Sequence, residues 1–374
     1  MGSEPGVTPT GGQGGAGRAR EAVVTGFVLR LAREAAPSGC SREQLAASLH
    51  VSVDTVSGWE TGRRPLTAVR TDQLILTRHT LLGLGTPPSM LRWLDLALEA
   101  DVIIDHALRV GTRHERGRPH PLGAWVLRGD VVNLVRWPLT LMAPPGLPLP
   151  TRSRRGPVAD HPVIDPDARD VLFDHLRRGV DTAHPADEAL LRRQALYLLA
   201  FDSRPDTRHW LADRQRAMIT TLDGWGEAWS TGRSIAIPLA RHGDHDALTA
   251  FIDQGLRDDR GQMANLNYWA YWLGEDDIVQ RGDAFMPHDT GSWRGERTLT
   301  HLVAHLNPTS TSAELNVHSV WALLTARPRL LDDHRELTAE LAGKVDVFLD
   351  NDTASPRGKR ELEGIRYALR LHQR

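Results

Sequence analysis

The chain has 374 residues, 40% of them hydrophobic and 25% charged, with a formal net charge of -2. Its length exceeds what one hydrophobic core comfortably organises, so two globular units, or a small domain followed by a helical array, are expected. No run approaches the roughly 20 apolar residues of a membrane helix, which argues against a membrane span. The near-neutral charge argues against a molecule that coats nucleic acid with its whole surface, although phosphate responds only to the local field of a binding face.

Residues 1–20 are rich in Gly, Pro, Ser and Thr and lack the apolar stretch of a secretory signal, so a disordered lead-in is expected there. A first helix is expected over 21–36, where Val24, Phe27, Val28, Leu31 and Ala35 recur at helical spacing. The single cysteine, Cys40, has no partner in the chain and excludes a cysteine-based zinc knuckle; a reducing cytoplasm fits. Ser41 then supplies an N-cap hydroxyl, with Gln44 three residues on as the partner of a capping box, and opens a helix over 42–49. His50-Val51 makes a tight turn. Ser52 caps the next helix, 53–61, which stops at Gly62, the residue type that most readily takes a left-handed C-cap. One or two helical pieces follow over 66–82, and the Gly- and Pro-rich stretch 83–88 closes the unit.

Beyond it, 90–110 reads as a strongly apolar helix, 112–121 as a polar stretch rich in His and Arg, and 125–142 as a second apolar segment. The proline-rich 143–166 suits a linker or an irregular cover, with Arg152 to Arg155, like Arg192-Arg193 further on, a solvated face. Helices are then expected at 167–178, 186–201, 207–229, 234–241, 245–256, 263–273, 298–306, 313–325, 334–348 and 357–371, separated by short turns. No hairpin signal appears. The fold class read from this pattern is all-α: a five-helix helix-turn-helix domain over 21–86, a helical connecting region over 87–150, and a larger helical C-terminal domain over 151–374. That last part is compatible with stacked helical hairpins, although no fixed repeat period is present.

The segment 41–65 carries the functional argument. Leu45, Leu49, Val51, Val56 and Trp59 are spaced to bury one side of two short helices, and Ala46 is small enough to let them cross closely. The other side of the second helix is left to Ser52, Val53, Asp54, Thr55, Ser57 and Gly58, all short enough to enter a major groove. The ending Trp59-Glu60-Thr61-Gly62-Arg63-Arg64-Pro65, together with Leu-Ala-x-x-Leu-x-Val-Ser at 45–52, resembles the helix-turn-helix of the phage-repressor family, the Xre and Cro regulators. The resemblance covers about residues 24–82. It implies a sequence-specific transcriptional regulator of double-stranded DNA that acts as a homodimer. It further implies that Glu60 pairs with an arginine of the first helix, best placed as Arg33, and that Arg42 reaches a phosphate. Val53, Asp54 and Ser57 would face bases, while Arg63 and Arg64 grip the DNA backbone. The chain departs from the family in a longer loop at 37–40 and in having Val53 and Asp54 where a polar or basic pair is common. Asp54 could accept from a cytosine amino group, and Val53 could touch a thymine methyl.

Elsewhere, the pairs His242/His245 and His301/His305 lack an identifiable third ligand and read as loop or packing histidines, so no metal is expected. No phosphate loop, nucleophile elbow or redox cysteine pair is present, and neither catalysis nor a cofactor is expected. The most aromatic stretch, 265–275, places Asn265, Tyr268, Trp269 and Trp272 on one helix, either as plain core or as a wall for a small-molecule or protein effector. The layout as a whole looks like the large Xre-type regulators common in Streptomyces, with arginine in place of nearly all lysine. A helical-repeat adaptor that binds a partner protein, with DNA binding used for localisation, is the alternative.

Overall fold

The computed structural model describes residues 23–37, 39–109, 119–150, 159–184, 187–289, 291–351 and 354–372. The expectations for 1–20, for most of 112–121 and for Arg152 to Arg155 lie outside these residues. The described residues are all helical or irregular, with no strand among them.

Four helices and a 3-10 turn form the N-terminal unit: α1 (Val23–Glu34), α2 (Arg42–Leu49), α3 (Val53–Glu60), the turn Leu66–Ala68, and α4 (Thr71–Gly83). Local chemistry sets their ends. The Ser41 side chain accepts from the Gln44 N–H while the Gln44 side-chain oxygen accepts from the Ser41 N–H at 2.7 Å, so the expected capping box is complete. α2 stops at His50, which takes the left-handed region at φ 53, and the chain doubles back with Val51 N–H donating to the Ala46 carbonyl at 3.0 Å. Ser52 caps α3 by accepting from the Thr55 N–H at 3.1 Å, and Gly62 at φ 71 ends it.

Among the described residues thirteen further helices follow: α5 (Pro88–Arg109), α6 (Gly129–Thr140), α7 (Pro166–Thr182), α8 (Ala189–Leu198), α9 (Pro205–Ile219), α10 (Glu227–Arg241), α11 (His245–Gly255), α12 (Asp259–Trp272), α13 (Glu296–Ala304), α14 (Ala313–Ala326), α15 (Leu330–Asp333), α16 (Arg335–Asp350) and α17 (Pro356–His372). Two differences from the sequence reading have clear causes. The single helix expected over 207–229 is two, because Gly224 sits at φ 61 with its N–H on the Gln254 carbonyl, and a Cβ there would strike the Asp258 carboxylate. The apolar segment from 125 starts as extended chain rather than helix. Its backbone is taken by distant partners, with Val126 N–H on the Gln280 carbonyl at 2.8 Å and Leu127 N–H on Gln194 Oε1 at 2.7 Å.

The hydrophobic core that begins at Val23 does not stop at residue 86. It runs on through Met90, Leu94, Ile104, Leu134 and Trp137 into α7 and α8. Helix α1 packs on both α5 and α6, where the Phe27 and Trp137 rings meet edge-on with centroids 5.0 Å apart; such a pair adds about 0.5–1.5 kcal/mol beyond its buried area. Polar chemistry reinforces the junction. Asp101 of α5 is fully buried and accepts from the Val24 and Thr25 N–H groups at 3.2 and 2.6 Å, so a carboxylate 76 and 77 residues downstream satisfies the start of α1. Two further clusters complete the body, one around Trp229, Phe251 and Leu256, the other around Leu302, Leu323, Phe348 and Leu362. Among the described residues no helix is long and apolar enough to cross a membrane.

Candidate nucleic-acid interface

Helix α3 has a wet side and a dry side. Val56, Trp59 and Glu60 turn inward, whereas Ser52, Val53 and Asp54 are exposed and Thr55 and Ser57 half-buried at the surface. The dry side fits because α1 offers Gly26 where the two helices meet; a Cβ at that position would lie 2.4 Å from the Trp59 carbonyl oxygen. Ala46, within α2, is buried as expected, and Gly26 is a second small residue at a close approach of two helices.

Beneath α3 lies an ionic knot. Arg33 is buried and donates from Nε to Glu60 Oε1 at 2.5 Å and from Nη2 to Oε2 at 3.2 Å, with Nη1 on the Cys40 carbonyl at 2.5 Å. Burial alone would lower the Arg33 guanidinium; the hydrogen bonds and charge of Glu60 outweigh that and leave it raised. This is the pair that the sequence resemblance implied. Arg42 joins it, Nε donating to Glu60 Oε2 at 2.6 Å. The residue expected to reach a phosphate thus has one face of its guanidinium on Glu60, and its side chain remains 37% exposed. Because Glu60 accepts from two arginines, its single charge fixes α1, the start of α2 and the end of α3 relative to one another.

On the wet side the charges also meet each other. Asp54 Oδ1 accepts from Arg63 Nη2 at 2.5 Å and Oδ2 from Arg64 Nη2 at 3.1 Å, with all three side chains at least half exposed. The hydrogen bond from Arg63 is the main cause of an Asp54 carboxyl held below its ordinary value. Arg64 also donates to Thr55 Oγ1 at 2.9 Å, and its aliphatic stem covers Gly58, where an added Cβ would meet it at 3.1 Å. Thr55 Oγ1 in turn lies 2.8 Å from Ser52 Oγ. Of the base-facing candidates, Val53 and Ser57 are the two with no side-chain hydrogen bond among the described residues, and Val53 is 40% exposed.

The aromatic segment reads differently. Of the two readings of this segment, Asn265 takes that of plain core: it is fully buried and lies on no partner-facing surface, and Tyr268 is nearly as buried. Asn265 Nδ2 donates to Ser319 Oγ at 2.8 Å while its Oδ1 accepts from Arg233 Nε at 3.3 Å. The Arg233 guanidinium rests 4.0 Å from the Tyr268 ring centre and 5.5 Å from that of Trp269, a buried cation neutralised in part by π faces. Trp269 and Trp272 are half-buried, and Trp272 with Tyr268, Tyr197 and Arg193 walls a narrow cleft; Arg193, expected on a solvated face, is instead buried, because its guanidinium finds the Asp283 carboxylate, Nε donating to Oδ2 at 2.7 Å.

Three histidines that the sequence reading did not connect come together elsewhere. His106 of α5, His120 before the 3-10 turn Pro121–Gly123, and His175 of α7 offer ring nitrogens that all lie within 4.8 Å of one another. Their separations of 14 and 55 residues gave no spacing signal. His242/His245 and His301/His305 acquire no third ligand among the described residues; the His301 and His305 rings pack 4.1 Å apart.

With this geometry in place, comparison with known families is direct. A family model described as a helix-turn-helix domain matches residues 26–80, which is α1 through most of α4. The N-terminal unit is thus a helix-turn-helix domain, the class of fold that marks a DNA-binding regulator, carried at one end of a larger helical body. No curated protein and no solved structure matches the chain.

Proposed function

We propose that this chain is a sequence-specific transcriptional regulator of the Xre/Cro type, which inserts the exposed edge of α3 into the major groove of operator DNA. Ser57 and Val53 contact base edges, Arg63 and Arg64 grip the backbone beyond the helix end, and Arg42 approaches a phosphate with the half of its guanidinium that does not face Glu60. The observation that carries the reading is the exposed α3 edge of short side chains, flanked by two exposed arginines and held rigid by the buried Arg33–Glu60 pair. The helical body serves dimerisation and the sensing of a small-molecule or protein effector, with no catalytic role, and the protein works in the cytoplasm on the nucleoid.

Selection of bound duplexes from randomised DNA tests this. A motif should emerge with dyad symmetry and half-sites about 10 base pairs apart or a multiple of that, and Ser57→Ala should change preference at one position per half-site. Binding that enriches no motif would overturn sequence specificity; a motif without a dyad would overturn the dimer.

A further inference from the structure

We propose that His106, His120 and His175 form a binding site for one divalent transition-metal cation of the zinc class, which ties α5, α7 and the segment entering the turn Pro121–Gly123 together. The three imidazoles bring their ring nitrogens to within 4.8 Å of one another. His120 Nε2 and His175 Nε2 face each other at 2.8 Å, and His106 closes the triangle with its ring centroid 4.5 Å from that of His120 and 5.7 Å from that of His175. Two imidazole nitrogens each about 2.1 Å from a tetrahedral zinc stand about 3.4 Å apart, so the observed pair needs to spread by only a fraction of an ångström. His175 is buried and the other two half-buried, so the nitrogens face one another rather than solvent.

The ligand set selects the chemistry. All three donors are imidazoles, with no thiolate, which suits zinc, copper, nickel or cobalt and disfavours magnesium or calcium. Three protein ligands leave a fourth position for water or an added donor, as in open zinc sites. The Leu122 N–H donates to His120 Nδ1 at 3.1 Å, so the His120 proton sits on Nε2 and bridges to His175. A cation takes the place of that bridging proton, which passes to Nδ1, and the His120 ring then turns off the Leu122 amide. Arg178, whose charge reaches His175, is exposed and screened by water.

The site differs from the other histidine groupings in position as well as number. It spans three elements that are far apart in sequence and lies on α5, the helix that also carries Asp101 beneath α1. Binding there stabilises the folded body directly, because the three ligands converge only in the folded chain.

The test uses the full-length protein freed of metal with a chelator. Equilibrium dialysis against Zn2+ should give one ion per chain, Co2+ should develop the d–d absorption of a four- or five-coordinate imidazole site, and Zn2+ should raise the Tm. His106→Gln and His175→Gln should each weaken Zn2+ binding at least about tenfold, while His301→Gln should leave it unchanged. Lack of Zn2+ and Co2+ binding by the wild-type chain would overturn the proposal, and so would binding that persists in a folded His106→Gln variant or vanishes in His301→Gln. The wild-type dialysis and the Co2+ spectrum decide the matter even if His175→Gln does not fold.

Discussion

The carboxylate of Asp54 sits between the guanidinium groups of Arg63 and Arg64, 2.5 and 3.1 Å from their nearest nitrogens. An acidic residue on the exposed edge of α3 thus engages the two cations best placed to hold a DNA backbone and offsets one of their two charges. The arrangement gives the aspartate a role independent of base reading: it restrains the arginines until phosphate competes for them, and charge-assisted bonds to phosphate are available to both once they turn outward.

Asp54→Asn should therefore raise affinity for DNA of any sequence severalfold. It should also steepen the dependence of log K on log salt by at most about one, because a single negative charge is removed beside the phosphates. Fluorescence anisotropy at several salt concentrations on matched and scrambled duplexes measures both. A loss of affinity confined to duplexes with one particular base pair would instead make Asp54 a base reader.

The Glu60 knot predicts a stability pattern. Glu60→Ala leaves Arg33 buried without its carboxylate and should lower unfolding free energy by about 3–5 kcal/mol, whereas Arg33→Met/Glu60→Met together should cost clearly less than Glu60→Ala alone. Urea unfolding followed by tryptophan fluorescence and circular dichroism checks this. A double variant as unstable as the single would show that the pair contributes through packing rather than charge compensation.

Close approach of α1 to α3 predicts opposite signs for two glycine-to-alanine changes. Gly26→Ala places a methyl 2.4 Å from the Trp59 carbonyl, so α1 must move away; the cost should be about 1–3 kcal/mol, more than the helix-propensity gain offsets. Gly343→Ala, in the exposed middle of α16 with no atom within 4 Å of the new methyl, should stabilise by about 0.5–1 kcal/mol. Thermal unfolding of the two variants beside wild type reads the contrast, and Gly26→Ala should also weaken DNA binding because α3 rides on α1.

Asp101 predicts a pH dependence. Burial raises its carboxyl to about 7 against hydrogen bonds from the start of α1 that pull the other way. The folded state therefore keeps a proton that the unfolded state has already lost above about pH 4. The contribution of this group is fully present below that value and declines as pH rises towards 7. Asp101→Ala should destabilise the protein by about 1–3 kcal/mol through the unsatisfied N–H groups, and the gap to wild type should be wider at pH 5 than at pH 8. A gap that does not narrow would mean that Asp101 is ionised throughout.

Much of the DNA-binding unit was legible in the sequence because its determinants are local. The capping box at Ser41 and Gln44, the Ser52 cap and the Gly62 stop act within one or two turns, and each stands where the residue types indicate. The Arg33–Glu60 pair was reachable only through the motif ending at Pro65, since 27 residues separate the partners. The Arg42 bond to Glu60 and the Asp54 clamp went unread. Composition shows that a charge is present, not which neighbour a long side chain chooses when several lie within reach.

By itself the sequence determined the helical class, the capped starts of α2 and α3, the stop at Gly62 and the small side chains along α3, since all of these follow from chain-neighbour sterics and hydrogen bonding. Only the tertiary structure decided how α1 is seated on α5 and α6, that Asn265 and Tyr268 serve a buried arginine rather than a surface, and that His106, His120 and His175 share one place. Those outcomes depend on which distant helices bury their apolar faces against each other, and such pairings leave no periodic trace along the chain.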